Sequence, residues 1–184
     1  MSSIDLIILG IVMERPQSAY EIQKDVAYHR LDKWTRVSVP SIYKKVLQLR
    51  QNGDLTSTHV KGERFAEKAV YAITEKGKAR FLELMEACAA KPLGVLFDFN
   101  VVIANLNKLE RPAAVRLLDT LESNFIKARK ACLERPACFP GLPLVGRTIM
   151  DQQAAVCDAL LAWLSSFRRQ YEGAFSAPPG RRRE

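Results

Sequence analysis

The stretch from Ser38 to Gly77 constrains the fold most, because its hydrophobic spacing switches from helical to strand-like and back. Ile42, Val46 and Leu49 recur at the spacing of one apolar helix face. Asn52-Gly53 then reads as a helix stop. Leu55–Val60 is polar and β-branched and reads as a strand, and Ala69–Ile73 reads as its return partner. Between them Lys61-Gly62-Glu63-Arg64 is turn material. Thr74 stands where it can cap a fourth helix from Glu75, with Phe81, Leu82, Leu84 and Met85 as its apolar positions. Few small folds send a helix directly into a hairpin with a charged tip.

The upstream sequence supplies the two missing helices. Ile4, Leu6, Ile7, Ile8, Leu9, Ile11 and Val12 are apolar nearly all round, as in a deeply buried helix, and Glu14-Arg15-Pro16 ends it. Ser18 can cap a second helix, with Glu21 at the capping-box position, running through Ile22 and Val26 to about Tyr28. Residues 29–37 read as a loop carrying Trp34. Ser38 can cap the third helix, and Pro40 is acceptable in a first turn, where N–H groups lack helical partners. The order helix, helix, helix, strand, strand, helix over residues 1–90 is that of a winged helix-turn-helix. Order alone does not fix its use, because small three-helix folds serve many.

After Pro92 the chain reads as all-helical. Leu93–Leu109 has the pattern of an amphipathic helix, and Arg111-Pro112 opens another with Leu117, Leu118, Leu121 and Phe125 along one side. Residues 136–144 hold Pro136, Pro140, Gly141 and Pro143 and read as a loop. A last helix from about Val145 to Tyr171 carries Ile149, Val156, Leu160, Trp163, Phe167 and Tyr171 as a stripe with the spacing of a helix–helix seam. The expected class is therefore mainly α with a small β-hairpin. Residues 91–175 read as a helical dimerisation arm, with Ile149, Val156, Leu160, Trp163 and Phe167 partly in the chain's own packing and partly across a dimer. Residues 176–184, ending in three arginines, read as a disordered basic tail.

Charge points to a polyanion. The net charge is +8, but its distribution says more. Lys33 to Arg80 holds eleven Lys and Arg against four acids, and Lys33 to Gly53 holds no acid at all. A basic segment containing one helix and one hairpin is the footprint of a nucleic-acid surface. The outward face of the third helix presents Lys44, Gln48 and Gln51, which suit base edges and phosphates. Ser38 and Ser41 stand at that helix's N-terminus, itself a phosphate site. Lys61, Arg64 and Lys68 flank the hairpin tip, where they would meet the DNA backbone. An ordinary solvated helix face and an exposed turn are the plainer readings of each feature taken singly.

Other classes find little support. No G-x-S-x-G, P-loop, dinucleotide fingerprint or H-E-x-x-H is present, so an enzyme is not expected. His29 and His59 lie far from Cys88, Cys132, Cys138 and Cys157, so neither a metal site nor a cofactor is expected. The cysteines read as reduced and mostly buried, with redox sensing by Cys132 or Cys138 the other reading. Ile4–Met13 is too short to span a bilayer, and it lacks a basic leader and a cleavage site, so the expected location is the cytoplasm.

Three motifs resemble one family. Ser18-Ala19-Tyr20-Glu21-Ile22 is similar to the start of the second helix in PadR-family regulators. Ser38-Val39-Pro40-Ser41-Ile42-Tyr43, with Val46-Leu47, Leu49 and Gly53-Asp54-Leu55, resembles that family's recognition helix and its exit. Tyr71-Ala72-Ile73-Thr74-Glu75-Lys76-Gly77 resembles its wing strand and following junction. The later half resembles, in kind only, the helical arm of the longer, virulence-activator-like members. The resemblance implies a homodimer on a pseudo-palindromic operator in double-stranded DNA, usually as a repressor. It also places Tyr20, Ser38, Ser41, Tyr43 and Lys44 at or near the DNA, with Lys61, Arg64 and Lys68 on the wing. Pro40 departs from the small residue often found there. A winged-helix module that binds proteins instead of DNA would carry a neutral or acidic third helix and wing, the reverse of this sequence. Trp34, Trp163, Phe97 and Phe99 suit either a cavity for a small-molecule effector between the halves or plain packing, and no effector is assigned from them.

Overall fold

The computed structural model describes residues 3–28, 31, 35, 38–61, 67–134 and 143–176. Its contacts divide the chain into two compact units, 1–94 and 95–184.

The first unit is a winged helix-turn-helix. Helix α1 (Ser3–Glu14) buries Ile4, Ile8, Leu9 and Val12. A two-residue strand β1 (Gln17–Ser18) precedes α2 (Ala19–Tyr28), which buries Ala19, Ile22 and Val26. A short 3-10 turn over Val39–Ser41 leads into α3 (Ile42–Gln51), whose predicted stripe Ile42, Val46 and Leu49 is buried. Strands β2 (Leu55–Lys61) and β3 (Glu67–Ile73) form the hairpin, and α4 (Glu75–Ala89) closes the unit. The antiparallel sheet has the order β1-β3-β2, with Gln17 and Ser57 both opposite Tyr71. Tyr71 on the central strand is buried, and it joins one core with the faces of α1, α2 and α3.

Two polar arrangements fix the joints of this unit. At the start of α2, Glu21 accepts hydrogen bonds from the Ser18 backbone N–H (2.8 Å) and hydroxyl (2.6 Å), and the Glu21 N–H donates to Ser18 Oγ (3.4 Å), which completes the reciprocal backbone bonds of a capping box. At the end of α3, the Gly53 N–H donates to the Arg50 carbonyl and the Asp54 N–H to the Leu49 carbonyl, both at 2.9 Å. This is a Schellman stop, and Gly53 takes the left-handed φ of 79° that it requires. The β3–α4 junction docks onto the same turn. Thr74 accepts from the Gly77 N–H (3.0 Å) as N-cap, and its hydroxyl donates to the Gly53 carbonyl (2.7 Å). Lys76 Nζ donates to the Asn52 carbonyl. Gly77 must be glycine here, because a Cβ would lie 2.1 Å from the Asp54 carbonyl oxygen.

Sequence expectation fails at two places in the helices. Ser38 holds the N-cap position of the 3-10 turn, but its side chain makes no capping bond; instead its carbonyl accepts from Ser41 N–H (3.0 Å) and Oγ (2.6 Å). Proline at position 40 has no N–H to give and favours the tight turn, so α3 proper starts only at Ile42. Leu93–Leu109 is not one helix either. Only Asn100–Ile103 (α5) and a 3-10 turn at Leu106–Lys108 form. Asn105 Nδ2 donates to the Val101 carbonyl (2.7 Å), a side-chain bond of the kind that competes with continued helix.

The second unit is built on an antiparallel helix pair, α6 (Arg111–Glu134) and α7 (Leu144–Ser176). Its core joins Leu106, Ala114, Leu118, Phe125 and Leu164, with Leu160, Phe167 and Tyr171 packed against them. Arg168 on α7 reaches Asp119 (2.8 Å) and Glu122 (3.3 Å) on α6, and Arg129 pairs with Asp158. The expected basic tail begins at the end of α7, and residues 177–184 lie outside the described residues.

Candidate nucleic-acid interface

The exposed side of the first unit is assembled from α2, α3 and β3. Tyr20 on α2 is 73% exposed and Tyr43 on α3 is 62% exposed, unusual values for rings this large in a unit with a well-covered core. Both line one open depression, together with Glu21, Lys24, Lys68 and Ala69. Lys44 and Gln48 are exposed one turn apart on α3, on the side away from the buried stripe. Ser38 is exposed and Ser41 half-buried at the start of that helix. Tyrosine hydroxyls, lysines and glutamines on such a face can bind phosphate oxygens and base edges.

The lysines differ in what they touch. Lys68 on β3 lies 3.3 Å from Glu21, so it ties the wing strand to α2. The Ser18 hydroxyl and N–H, and then Lys68, hold the Glu21 carboxyl well below its usual range, at about 2. Glu21 is therefore an anion throughout ordinary conditions, and Lys68 offsets its charge beside the depression. Lys45, from the acid-free stretch, turns away and pairs with Asp5 on α1 (3.1 Å). Lys61 ends β2, but its side chain lies outside the described residues, as does Arg64.

Sequence reading missed Glu21 as a neighbour of the wing and Lys24 as part of this face. The spacing of Tyr20 and Lys24, one helical turn, was the available signal. Among the described residues no group of His, Cys, Asp and Glu is placed to hold a metal ion. No helix there is long and apolar enough to cross a membrane.

The second unit carries a run of rings. Phe97 stacks on Phe99 (5.1 Å), Phe99 meets Phe125 (5.1 Å) and Trp163 (5.9 Å), and Trp163, Phe167 and Tyr171 continue along α7 at 6.0 and 5.7 Å. Trp34, the fourth residue of the expected cavity, lies outside the described residues. Along the α7 stripe, Leu160 and Phe167 face the unit's own core, Ile149 is half-buried, and Val156 and Trp163 are exposed. Of the cysteines expected to be buried, Cys132 is buried, Cys157 is half-buried, and Cys88 is exposed. Cys138 lies outside the described residues.

Comparison with known proteins agrees with this architecture. The transcriptional regulator PadR-like family matches residues 8–83. No curated protein matches the chain in sequence. Bacillus subtilis PadR in complex with operator DNA superimposes with a TM-score of 0.76 at 17% identity, over 90% of this chain and 97% of that one. The same protein with p-coumaric acid gives 0.72 at 16% identity, over 89% of this chain and 92% of that one. The Vibrio cholerae virulence activator AphA gives 0.66 at 16% identity, over 93% of this chain and 99% of that one. Residues 8–83 are thus similar to the PadR-like family of transcriptional regulators, and the chain shares the fold of these solved structures.

Proposed function

We propose that this chain is a sequence-specific DNA-binding transcriptional regulator that works as a homodimer, with residues 1–90 as the DNA-binding domain and residues 91–175 as the dimerisation arm. The observation that carries this reading is the exposed set Tyr20, Tyr43, Lys44 and Gln48 on the two helices of a PadR-like domain. In this reading α3 enters the major groove. Gln48 reads base edges there. Tyr20, Ser38, Ser41, Tyr43 and Lys44 contact the backbone or the groove rim, and Lys61, Arg64 and Lys68 bring the wing to the phosphates. Two half-sites one helical turn apart need two recognition helices, which is the physical reason for a dimer. Exposed Val156 and Trp163, with Ile149 beside them, supply its apolar contact; Leu160 and Phe167 support it from within.

Repression follows where the operator overlaps a promoter, and it takes place in the cytoplasm with the DNA. The solved complex of Bacillus subtilis PadR with p-coumaric acid makes flat aromatic acids the effector class to try first. The test is a gel shift with the promoter region beside the protein's own gene. A shift that Lys44→Ala weakens, with the size of a dimer in light scattering, is expected. Absence of any shift at low salt would contradict DNA binding and favour a protein-binding winged helix.

A further inference from the structure

One acid stands inside the basic face without a part in the DNA contacts. Glu21 lies in the first turn of α2 and lines the depression beside Tyr20, Tyr43 and Lys68. A carboxylate there repels the phosphates that the surrounding groups attract. Two sets of contacts hold it in place. Ser18 donates to one oxygen, Oε2, through its N–H (2.8 Å) and its hydroxyl (2.6 Å), which fixes the carboxyl group. The other oxygen, Oε1, accepts from Lys68 Nζ at 3.3 Å. The sheet register brings the two side chains together. Ser18 pairs with Val70, and the antiparallel chain leaving Ser18 runs along β3 toward Lys68. Held at about 2, chiefly by the Ser18 hydroxyl, the carboxyl is charged wherever DNA binding is measured.

A lysine has a flexible stem and an ammonium with several donors. Lys68 gives one donor to Glu21, and its side chain, 47% exposed, still lines the depression. A mobile lysine loses rotamer freedom when a phosphate immobilises it, and a partner that holds it beforehand removes that cost. We propose that Glu21 is a positioning residue for DNA binding: its fixed carboxylate sets the Lys68 ammonium at the depression, ready for one backbone phosphate that the Tyr20 and Tyr43 hydroxyls also reach. This role rests on the DNA-binding function proposed above and adds to it a part for the acid of the face. Glu21 acts through Lys68 and does not itself touch the DNA.

The test measures binding of the full chain to a duplex of the promoter region beside its own gene, by fluorescence anisotropy. Glu21→Gln removes the charge yet keeps a side chain that suits the capping box. In the unmodified background this change is expected to weaken binding about two- to tenfold, although it removes a negative charge. In Lys68→Met, where no ammonium is left to place, the same change is expected to strengthen binding, because only repulsion is relieved. No weakening in the unmodified background overturns the proposal. Weakening in both backgrounds, the result if Glu21 only holds the fold, overturns it too. Thermal melts check that the variants fold. If Glu21→Gln does not, NMR relaxation of the Lys68 ammonium in the free, unmodified protein decides. A restrained ammonium is expected, and one as mobile as that of Lys44 overturns the proposal. An unmodified protein that binds no DNA at low salt would remove the DNA-binding function itself, and this role with it.

Discussion

The two units of this chain solve the same problem with different means. The first buries one apolar core between α1, α2 and α3, leaving Leu82 and Met85 of α4 exposed, and fixes its joints with polar bonds: the Ser18–Glu21 box, the Gly53 stop, and the Thr74 and Lys76 contacts onto that stop. What α2 and α3 then expose is tyrosine, lysine and glutamine. The second unit relies on an apolar and aromatic seam, and its long helices leave aliphatic side chains exposed, Ile126 of α6 at 52% and Leu144 of α7 at 77% among them. The difference separates roles. A polar, well-anchored face suits a hydrated polyanion, whereas scattered apolar surface on long helices suits a second copy of the chain.

The largest effect is expected in the second unit's seam. Leu118 is fully buried between α6 and α7, so Leu118→Ala should cost about 2–5 kcal/mol. Chemical denaturation followed by circular dichroism measures it, and a loss below that range would mean the seam is looser than described. The first unit's counterpart is its tightest joint. Gly77→Ala drives a methyl group into the Asp54 carbonyl and should cost about 1–3 kcal/mol or more. Gly173→Ala on α7 meets nothing within 4 Å and should be neutral or stabilising in the same melt.

The exposed α7 stripe tests the dimer half of the comparison. Val156→Lys places charge on a side chain 43% exposed and outside the run of rings, so folding should survive. The dimer should weaken at least about tenfold, or about 1.4 kcal/mol, as read by light scattering across a dilution series. Unchanged association would show that this stripe faces water alone. A smaller effect is expected at the capping box, where Ser18→Ala should cost about 0.5–2 kcal/mol. Its pH signature has a definite sign. With the Glu21 carboxyl lowered from 4.5 to about 2, its contribution is complete above pH 4.5 and is lost as pH falls toward 2. Solvent screening keeps this acid limb shallow. It should flatten in Ser18→Ala, as acid titrations of stability would show.

Local chemistry explains what was legible before the structure. The capping box, the Ile42–Val46–Leu49 stripe, the Gly53 stop and the Thr74 cap each depend on residues within a few positions, and each stands where its spacing indicated. β1 was not legible, because two residues carry no period and become a strand only by pairing with Tyr71 and Val70. The break in Leu93–Leu109 was hidden by an apolar period that takes no account of Asn105, whose side chain bonds the Val101 carbonyl. In the candidate site, exposure of Lys44 and Gln48 followed from the stripe opposite them. The turning of Lys45 to Asp5 and of Lys68 to Glu21 did not, because each partner is distant in sequence.

The most direct test of the recognition face is the slope of log binding constant against log salt for operator DNA. A face that meets phosphates releases counterions, so binding should fall steeply with salt, at about −0.9 per phosphate neutralised. Lys44→Ala should reduce that slope by about 1, whereas Gln48→Ala should keep the slope and lose preference for operator over unrelated DNA. A slope near zero for the unmodified protein, or one that Lys44→Ala leaves unchanged, would contradict the account.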